Sequence, residues 1–379
     1  MKILHTADLH LQEDSERRWN TFFWICEKAR VEKVDYLIIS GDIFDSPIQA
    51  SQEAREKMKK AFERISPIKI IIVPGNHDIK GEVESFAPEM FYGENVFIGS
   101  EGPYQIFDSL GQDIVFYCIP FQKGKKARDL LPISEVQKDI KKINIGILHG
   151  TLVDEREIRS FVQEMDIEKD EYFPVETGDV ESWGFDYLAL GHIHNHFSKR
   201  VIGETIAVYP GTPEPMKINE ASERKVVLAD IKNKGKIEIQ DITIETALRI
   251  ESIGPFMIRI GEVKNVFSQI DQEMGKRIKE GANRKIWPLI RIEGVVEDER
   301  ALKRYLDYIT DKYACRFPEF SIKNEILSIA QFKDFPVCLS FIKKVEERIE
   351  QAETDKERNI YKRALSCGLK ELREKGGLG

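Results

Sequence analysis

Five times within the first 194 residues, a largely apolar run of strand length passes directly into a short motif of Asp, His, Asn and Gly. Lys2–Thr6 leads into Asp8-Leu9-His10, Tyr36–Ser40 into Gly41-Asp42, and Ile68–Val73 into Gly75-Asn76-His77-Asp78. Ile143–Leu148 leads into His149-Gly150, and Tyr187–Leu190 into Gly191-His192-Ile193-His194. Apolar runs of this kind read as strands buried on both faces. Helical patterns lie between the early ones: Glu16–Glu32, with Trp19, Phe22, Phe23 and Cys26 on one side, and a polar stretch around Gln52–Arg64. Strands alternating with helices predict an α/β sheet. In such a sheet the loops leaving the strands' carboxyl ends gather along one edge, so the five motifs are expected to meet there.

Shorter β segments are expected at Asn95–Ile98, Tyr104–Phe107 and Ile114–Ile119, and a helix with a capping box at Ser134 and Gln137. Ile206–Tyr209, Val226–Ile231 and Ile237–Ile244 read as hairpin strands, the last two separated by Asn233-Lys234-Gly235. A first domain is therefore placed at 1–246. Residues 247–330 read as a small α/β module, and 331–379 as two amphipathic helices. One helix carries Cys338, Phe341, Ile342, Val345 and Ile349 on a single face, the other Ile360, Leu365, Leu369 and Leu372. A short hairpin cannot bury both faces alone, so the stripe is expected to dock on a partner.

Several classes are excluded. No apolar run approaches the roughly 20 residues of a membrane span, and the opening Met-Lys-Ile-Leu-His-Thr-Ala-Asp lacks a signal-peptide layout, so the chain is expected to be cytoplasmic. Five widely spaced cysteines form no C-x-x-C pair, which argues against a disulfide framework or a zinc ribbon. Residues 1–245 carry 31 Lys+Arg against 43 Asp+Glu, and residues 246–379 carry 26 against 22. An acidic half suits cations, although on charge alone ordinary surface variation is the better account. More telling, all seven histidines fall within the first 196 residues, which confines imidazole chemistry to the first domain.

Each motif alone has a bland reading: a capped turn, an Asx exit from a strand, or a tight turn through Gly and Asn. Together they bring carboxylate, imidazole and amide donors to one place without a thiolate, a set suited to Mn²⁺, with Fe²⁺ or Zn²⁺ as alternatives. Their order, D-x-H, G-D, G-N-H-D, H and G-H-x-H, resembles the calcineurin-like metallophosphoesterase superfamily. That resemblance implies a metallophosphoesterase β-sandwich flanked by helices, with two divalent metal ions per chain. Asp8, His10, Asp42 and His194 would hold one ion, and Asp42, Asn76, His149 and His192 the other, with Asp42 bridging. Such a pair activates water and clamps phosphoryl oxygens during in-line displacement. His77 would serve as the proton donor, with Asp78 holding its other ring nitrogen and Asp45 nearby. His5 and His196 match no ligand position and read as structural or as supports behind the ligands.

The run His5–Leu11, with Gly41-Asp42-Ile43-Phe44-Asp45 and Gly75–Asp78, resembles the SbcD-type nuclease subunits of bacterial SbcCD double-strand-break repair complexes, relatives of the meiotic-recombination nucleases. Asp45 stands where archaeal and eukaryotic members often carry a histidine. The resemblance implies a homodimer that pairs through nuclease-domain helices, here Gln52–Arg64 and the segment after Phe86. It also implies a coiled-coil ABC ATPase partner (SbcC type) and Mn²⁺-dependent exo- and endonucleolytic hydrolysis of DNA ends, hairpins and single strands. Lys123, Lys125, Lys126, Arg128, Lys199 and Arg200 are the candidate DNA contacts. A nucleotide or cyclic-nucleotide phosphodiesterase, or a non-catalytic scaffold of the same fold, remains open on sequence grounds.

Overall fold

The computed structural model describes residues 1–80, 84–85, 93–108, 113–132, 136, 141–154, 173–195, 197–258, 262–296, 298–332 and 335–375. The expected helix at Ser134, the dimer segment after Phe86, and His196 lie outside the described residues. The chain divides into two compact units, Met1–Ala247 and Leu248–Gly379. Among the described residues, no helix is long and apolar enough to cross a membrane.

The first unit is a two-sheet sandwich with helices outside. Its elements in chain order begin β1 (Lys2–Thr6), α1 (Glu16–Val31), β2 (Tyr36–Ser40), α2 (Gln52–Arg64), β3 (Lys69–Val73) and β4 (Val96–Ile98). They continue β5 (Gln105–Asp108), β6 (Ile114–Ile119), β7 (Ile143–His149), α3 (Thr177–Trp183), β8 (Tyr187–Gly191), β9 (Ser198–Ile202), β10 (Thr205–Tyr209), β11 (Lys225–Asn233) and β12 (Lys236–Thr243). One sheet runs β12-β11-β1-β2-β3-β4 and the other β9-β10-β8-β7-β6-β5. Between them lies a core that includes Ile3, Tyr36, Ile38 and Ile71 from one sheet and Phe116, Ile145, Ile147 and Tyr187 from the other. The first sheet's outer face buries Trp19, Phe22 and Ile25 of α1 and Met58 and Phe62 of α2. Both faces are thus covered, which is why these strands read as continuous apolar runs.

β1, β2 and β3 are mutually parallel, as are β7 and β8, so each set delivers its motifs to one edge. One expectation is corrected. Ile206–Tyr209 does not join the β11–β12 hairpin; as β10 it pairs with β8 and β9 in the opposite sheet. Lys199 and Arg200 lie on strand β9.

The second unit is built from β13 (Arg249–Ile258), α4 (Val263–Lys279), β14 (Ile286–Val296), α5 (Glu299–Tyr313) and β15 (Ser321–Ser328), followed by α6 (Pro336–Gln351) and α7 (Asp355–Lys375). Its three strands are all parallel, and such a sheet needs cover on both faces. Ile290, Ile292 and Val296 of β14 pack with α4 and α5. Val295, pointing the other way, packs with Leu327, Phe332, Cys338, Ile342, Leu365 and Leu369.

This overturns the docking expectation for most of the stripe. Ile342, Ile349, Leu365 and Leu369 are buried within the unit, while Phe341, Val345 and Leu372 are partly buried against the same cluster. Only Ile360 of that stripe stands out, at 57% exposure. The hairpin covers its own sheet, and Gly368 permits the close helix approach: a Cβ there would fall 2.4 Å from the Phe341 ring. Leu369→Ala is therefore expected to destabilise the second unit by about 2–5 kcal/mol. Denaturant unfolding followed through Trp287 fluorescence would show this; an unshifted midpoint would return the stripe to a docking role.

Candidate metal centre

The backbone is bent to make this site. Asp8, His10, Asp42 and His192 all have positive φ, at 53°, 44°, 50° and 96°. For residues other than glycine this costs about 1–3 kcal/mol each and persists only where surroundings over-determine it. Here they do. Asp8 N–H donates to Gly41 O at 3.0 Å and His10 N–H to Asp42 O at 2.9 Å, zipping the first two loops together. His192 N–H donates to both oxygens of the Asp8 carboxylate, at 3.0 and 3.1 Å, and His77 N–H to Asp42 Oδ1 at 2.9 Å. Gly75 and Gly191 are required by proximity. A Cβ on the former would fall 2.2 Å from Asp42 Oδ1, and on the latter 1.8 Å from Ser40 O.

The side chains then converge. One ligand atom each from Asp8, His10, Asp42 and His194 lies within 4.8 Å of the others. His10 Nε2 and His194 Nε2 are 3.2 Å apart, with Asp42 Oδ2 3.7 Å from the first and Asp8 Oδ1 3.7 Å from the second. Two imidazole nitrogens and two carboxylates aimed at one point suit a divalent cation better than they suit each other. Beside them, His149 Nε2 sits 3.2 Å from Asp42 Oδ2 and 3.0 Å from Asn76 Oδ1, while its Nδ1 donates to Ser40 O at 3.0 Å. The His192 ring stands edge-on to His149, with centroids 5.2 Å apart. Asp42 faces both groups, as expected of a shared ligand.

The electrostatics follow from burial and from these neighbours. Burial disfavours charge on His149, yet Asp42 and Asp8 outweigh it and hold the imidazole up at about 9. Burial equally opposes ionisation of Asp42, but His149, His10 and His77 hold its carboxyl well below the usual range. Burial pushes His192 down to about 3, leaving a neutral ring able to ligate.

Two supporting roles differ from expectation. Asp78 does not hold the His77 ring. Its carboxylate accepts from Ile43 N–H, Phe44 N–H and Gly75 N–H at 2.9–3.2 Å, and burial, then Asp42, raises it to about 7. Asp78 thus braces the second and third loops against each other. His77 is held instead by Asp45, whose backbone carbonyl accepts from Nδ1 at 2.7 Å. The Asp45 carboxylate takes a hydrogen bond from Gln12 at 3.0 Å, approaches Arg18, and faces the buried Nδ1 of His10 at 3.6 Å. His5 is structural as expected, spanning the sheets between Tyr187 Oη at 2.9 Å and Ser40 Oγ at 2.8 Å.

Lys126 and Arg128 bind Glu176 at 3.1 and 2.9 Å, and Arg200 binds Asp154 at 2.7 Å. All six basic candidates, Lys123, Lys125 and Lys199 included, are exposed. Sequence reasoning missed Glu220 and Arg224, both buried, and Arg18, which donates to His10 O. They belong to no motif, and nothing in the sequence of a polar loop or of a helix's first turn distinguishes a buried charge from a solvated one.

The calcineurin-like phosphoesterase family model matches residues 1–204. The chain is 24% identical over 322 residues to the DNA double-strand break repair protein Mre11 of Methanopyrus kandleri, covering 74% of this chain and 63% of that protein. It is 26% identical over 312 residues to the uncharacterized metallophosphoesterase YhaO of Bacillus subtilis, covering 74% and 69%. The matches thus span about two thirds of these relatives' lengths. Among solved structures, TT1561 of Thermus thermophilus aligns at a TM-score of 0.37 and 12% identity, over 63% of this chain and 98% of that one. A dimetal phosphatase from Danio rerio aligns at 0.35 and 11%, over 65% and 99%.

Proposed function

The chain belongs to the calcineurin-like phosphoesterase family, and we propose that it is a Mn²⁺-dependent DNA exo- and endonuclease acting in double-strand-break repair. The observation that carries the reading is the meeting of Asp8, His10, Asp42 and His194 at one point, with His149 and Asn76 adjoining. The Methanopyrus relative's name as a DNA double-strand break repair protein supports DNA as substrate.

Asp8, His10, Asp42 and His194 would hold one ion; Asp42, Asn76, His149 and His192 would hold the second. When bound, the ions supply an activated water and neutralise charge on the phosphoryl oxygens. Ser40 O fixes His149 with Nε2 facing the site, and Asp42 would be the ligand shared by both ions. Because the Asp45 carbonyl engages His77 Nδ1, the other ring nitrogen is the one that donates a proton to the leaving oxygen. Lys125 and Lys199 are the proposed contacts to the DNA backbone.

By family resemblance, the protein works in the cytoplasm as a homodimer paired through α2, with a coiled-coil ABC ATPase. With the inner stripe buried, that ATPase would dock on the hairpin's outer residues Val337 and Ile360, exposed at 74% and 57%.

The test compares Mn²⁺-dependent cleavage of an end-labelled DNA hairpin with hydrolysis of a cyclic nucleotide. Cleavage of the hairpin is expected. Turnover of the cyclic nucleotide with intact DNA would overturn the nuclease reading.

A further inference from the structure

We infer that Glu220 and Arg224 form a positioning clamp on His194, an inference that rests on the metal assignment proposed above. Both residues belong to the segment linking β10 to β11, and both are charged yet buried, at 4% and 3% exposure. Glu220 Oε1 lies 3.3 Å from His194 Nδ1, and its other oxygen accepts from Met216 N–H at 2.7 Å. Arg224 holds the backbone of the same motif. It donates to His194 O at 2.9 Å, to Asn195 O at 2.7 Å, to Thr212 Oγ1 at 3.1 Å and to Glu220 O at 2.9 Å. Thr212 N–H adds a bond to His194 O at 3.2 Å.

His194 follows β8 in irregular backbone, where neither a ladder nor a helix fixes its ring. A carboxylate that accepts from Nδ1–H selects the tautomer whose Nε2 is free to ligate. It also turns that nitrogen toward His10 Nε2 and Asp8, and makes it more basic. Mere attachment of the loop does not need this pair. Glu214, in the same loop, already ties it to Arg17 and Thr21 of α1. Burying a further carboxylate and guanidinium is costly unless both are fully hydrogen-bonded, and here their bonds go to the His194 motif and the loop enclosing it.

The test titrates Mn²⁺ into the full chain, following free ion by electron paramagnetic resonance, for wild type, Glu220→Ala and Glu220→Gln. Glu220→Ala is expected to weaken one of two ions by about 10–100-fold. Glu220→Gln keeps an acceptor oxygen and should recover part of that loss. In the Zn²⁺-loaded protein, the His194 Nδ1–H resonance should be hydrogen-bonded and downfield in wild type, and absent or shifted upfield in Glu220→Ala. Wild-type affinity and an unchanged resonance in folded Glu220→Ala would overturn the clamp. If that variant does not fold, Glu220→Gln matching wild type in both readouts would do the same. Asp8→Ala separates the two failures: if it retains both ions, the metal assignment itself is wrong.

Discussion

Asp42→Ala is expected to release more than one equivalent of divalent metal per chain and to abolish phosphodiester hydrolysis. The reason is the position of the carboxylate. One oxygen lies 3.2 Å from His149 Nε2 and 3.7 Å from His10 Nε2, so it faces both candidate metal positions. The other accepts from His77 N–H and helps hold the third loop in place. On the proposed assignment, its removal would leave no charge between the two ions and would take from the second position the carboxylate assigned to it. Loss of metal-based charge stabilisation is worth several kcal/mol, on the order of 10³–10⁴-fold in rate. Elemental analysis after dialysis is the measurement, and retention of two ions would refute the shared-ligand assignment. The same protein gives a check on protons. Since Asp42 and Asp8 hold His149 up at about 9, an ion binding Nε2 at pH 7 displaces a proton, and metal affinity rises with pH up to that value. A pH-stat titration of wild type with Mn²⁺ should therefore release acid.

The convergence of the five motifs was legible because each directly follows a strand end, while the ligand roles came from the family resemblance. A buried parallel strand announces itself as an apolar run, and the residue after it must sit at the sheet's carboxyl edge. That logic placed Asp8, His10, Asp42, Asn76, His149 and His194 together without any contact being known. It could not reach Glu220 or Arg224, which approach His194 from a loop whose path no periodicity encodes. Nor could it choose between partners of equal plausibility. Asp78 adjoins His77 in sequence, yet three backbone N–H groups claim its carboxylate, and a carbonyl 32 residues away takes the ring instead. The hairpin shows the complementary limit. An amphipathic stripe says that a face is covered but not by what, and here Val295 and Leu327 of the hairpin's own unit provide the cover. Ile206–Tyr209 does form a hairpin, but its partner is β9 rather than β11, and its other edge lies beside β8 in the second sheet.

His77→Ser should separate chemistry from metal binding. The contact that His77 makes to Asp42 uses its backbone N–H, which serine keeps, so both ions should remain. What disappears is the ring, oriented by the Asp45 carbonyl with Nδ1 engaged and the other nitrogen available to the leaving group. General acid catalysis contributes about 10²–10⁴-fold, and turnover on DNA should fall by that amount. The size of the defect should depend on the leaving group. A deoxyribose hydroxyl is a poor leaving group and needs the proton, whereas p-nitrophenolate leaves without one. On a thymidine p-nitrophenyl phosphodiester, His77→Ser should therefore lie much closer to wild type than on DNA. A structural role for the ring would instead slow both substrates alike. Equal losses on the two substrates, or near-normal turnover on DNA, would remove His77 from the chemistry and leave it as part of the turn that carries Asn76.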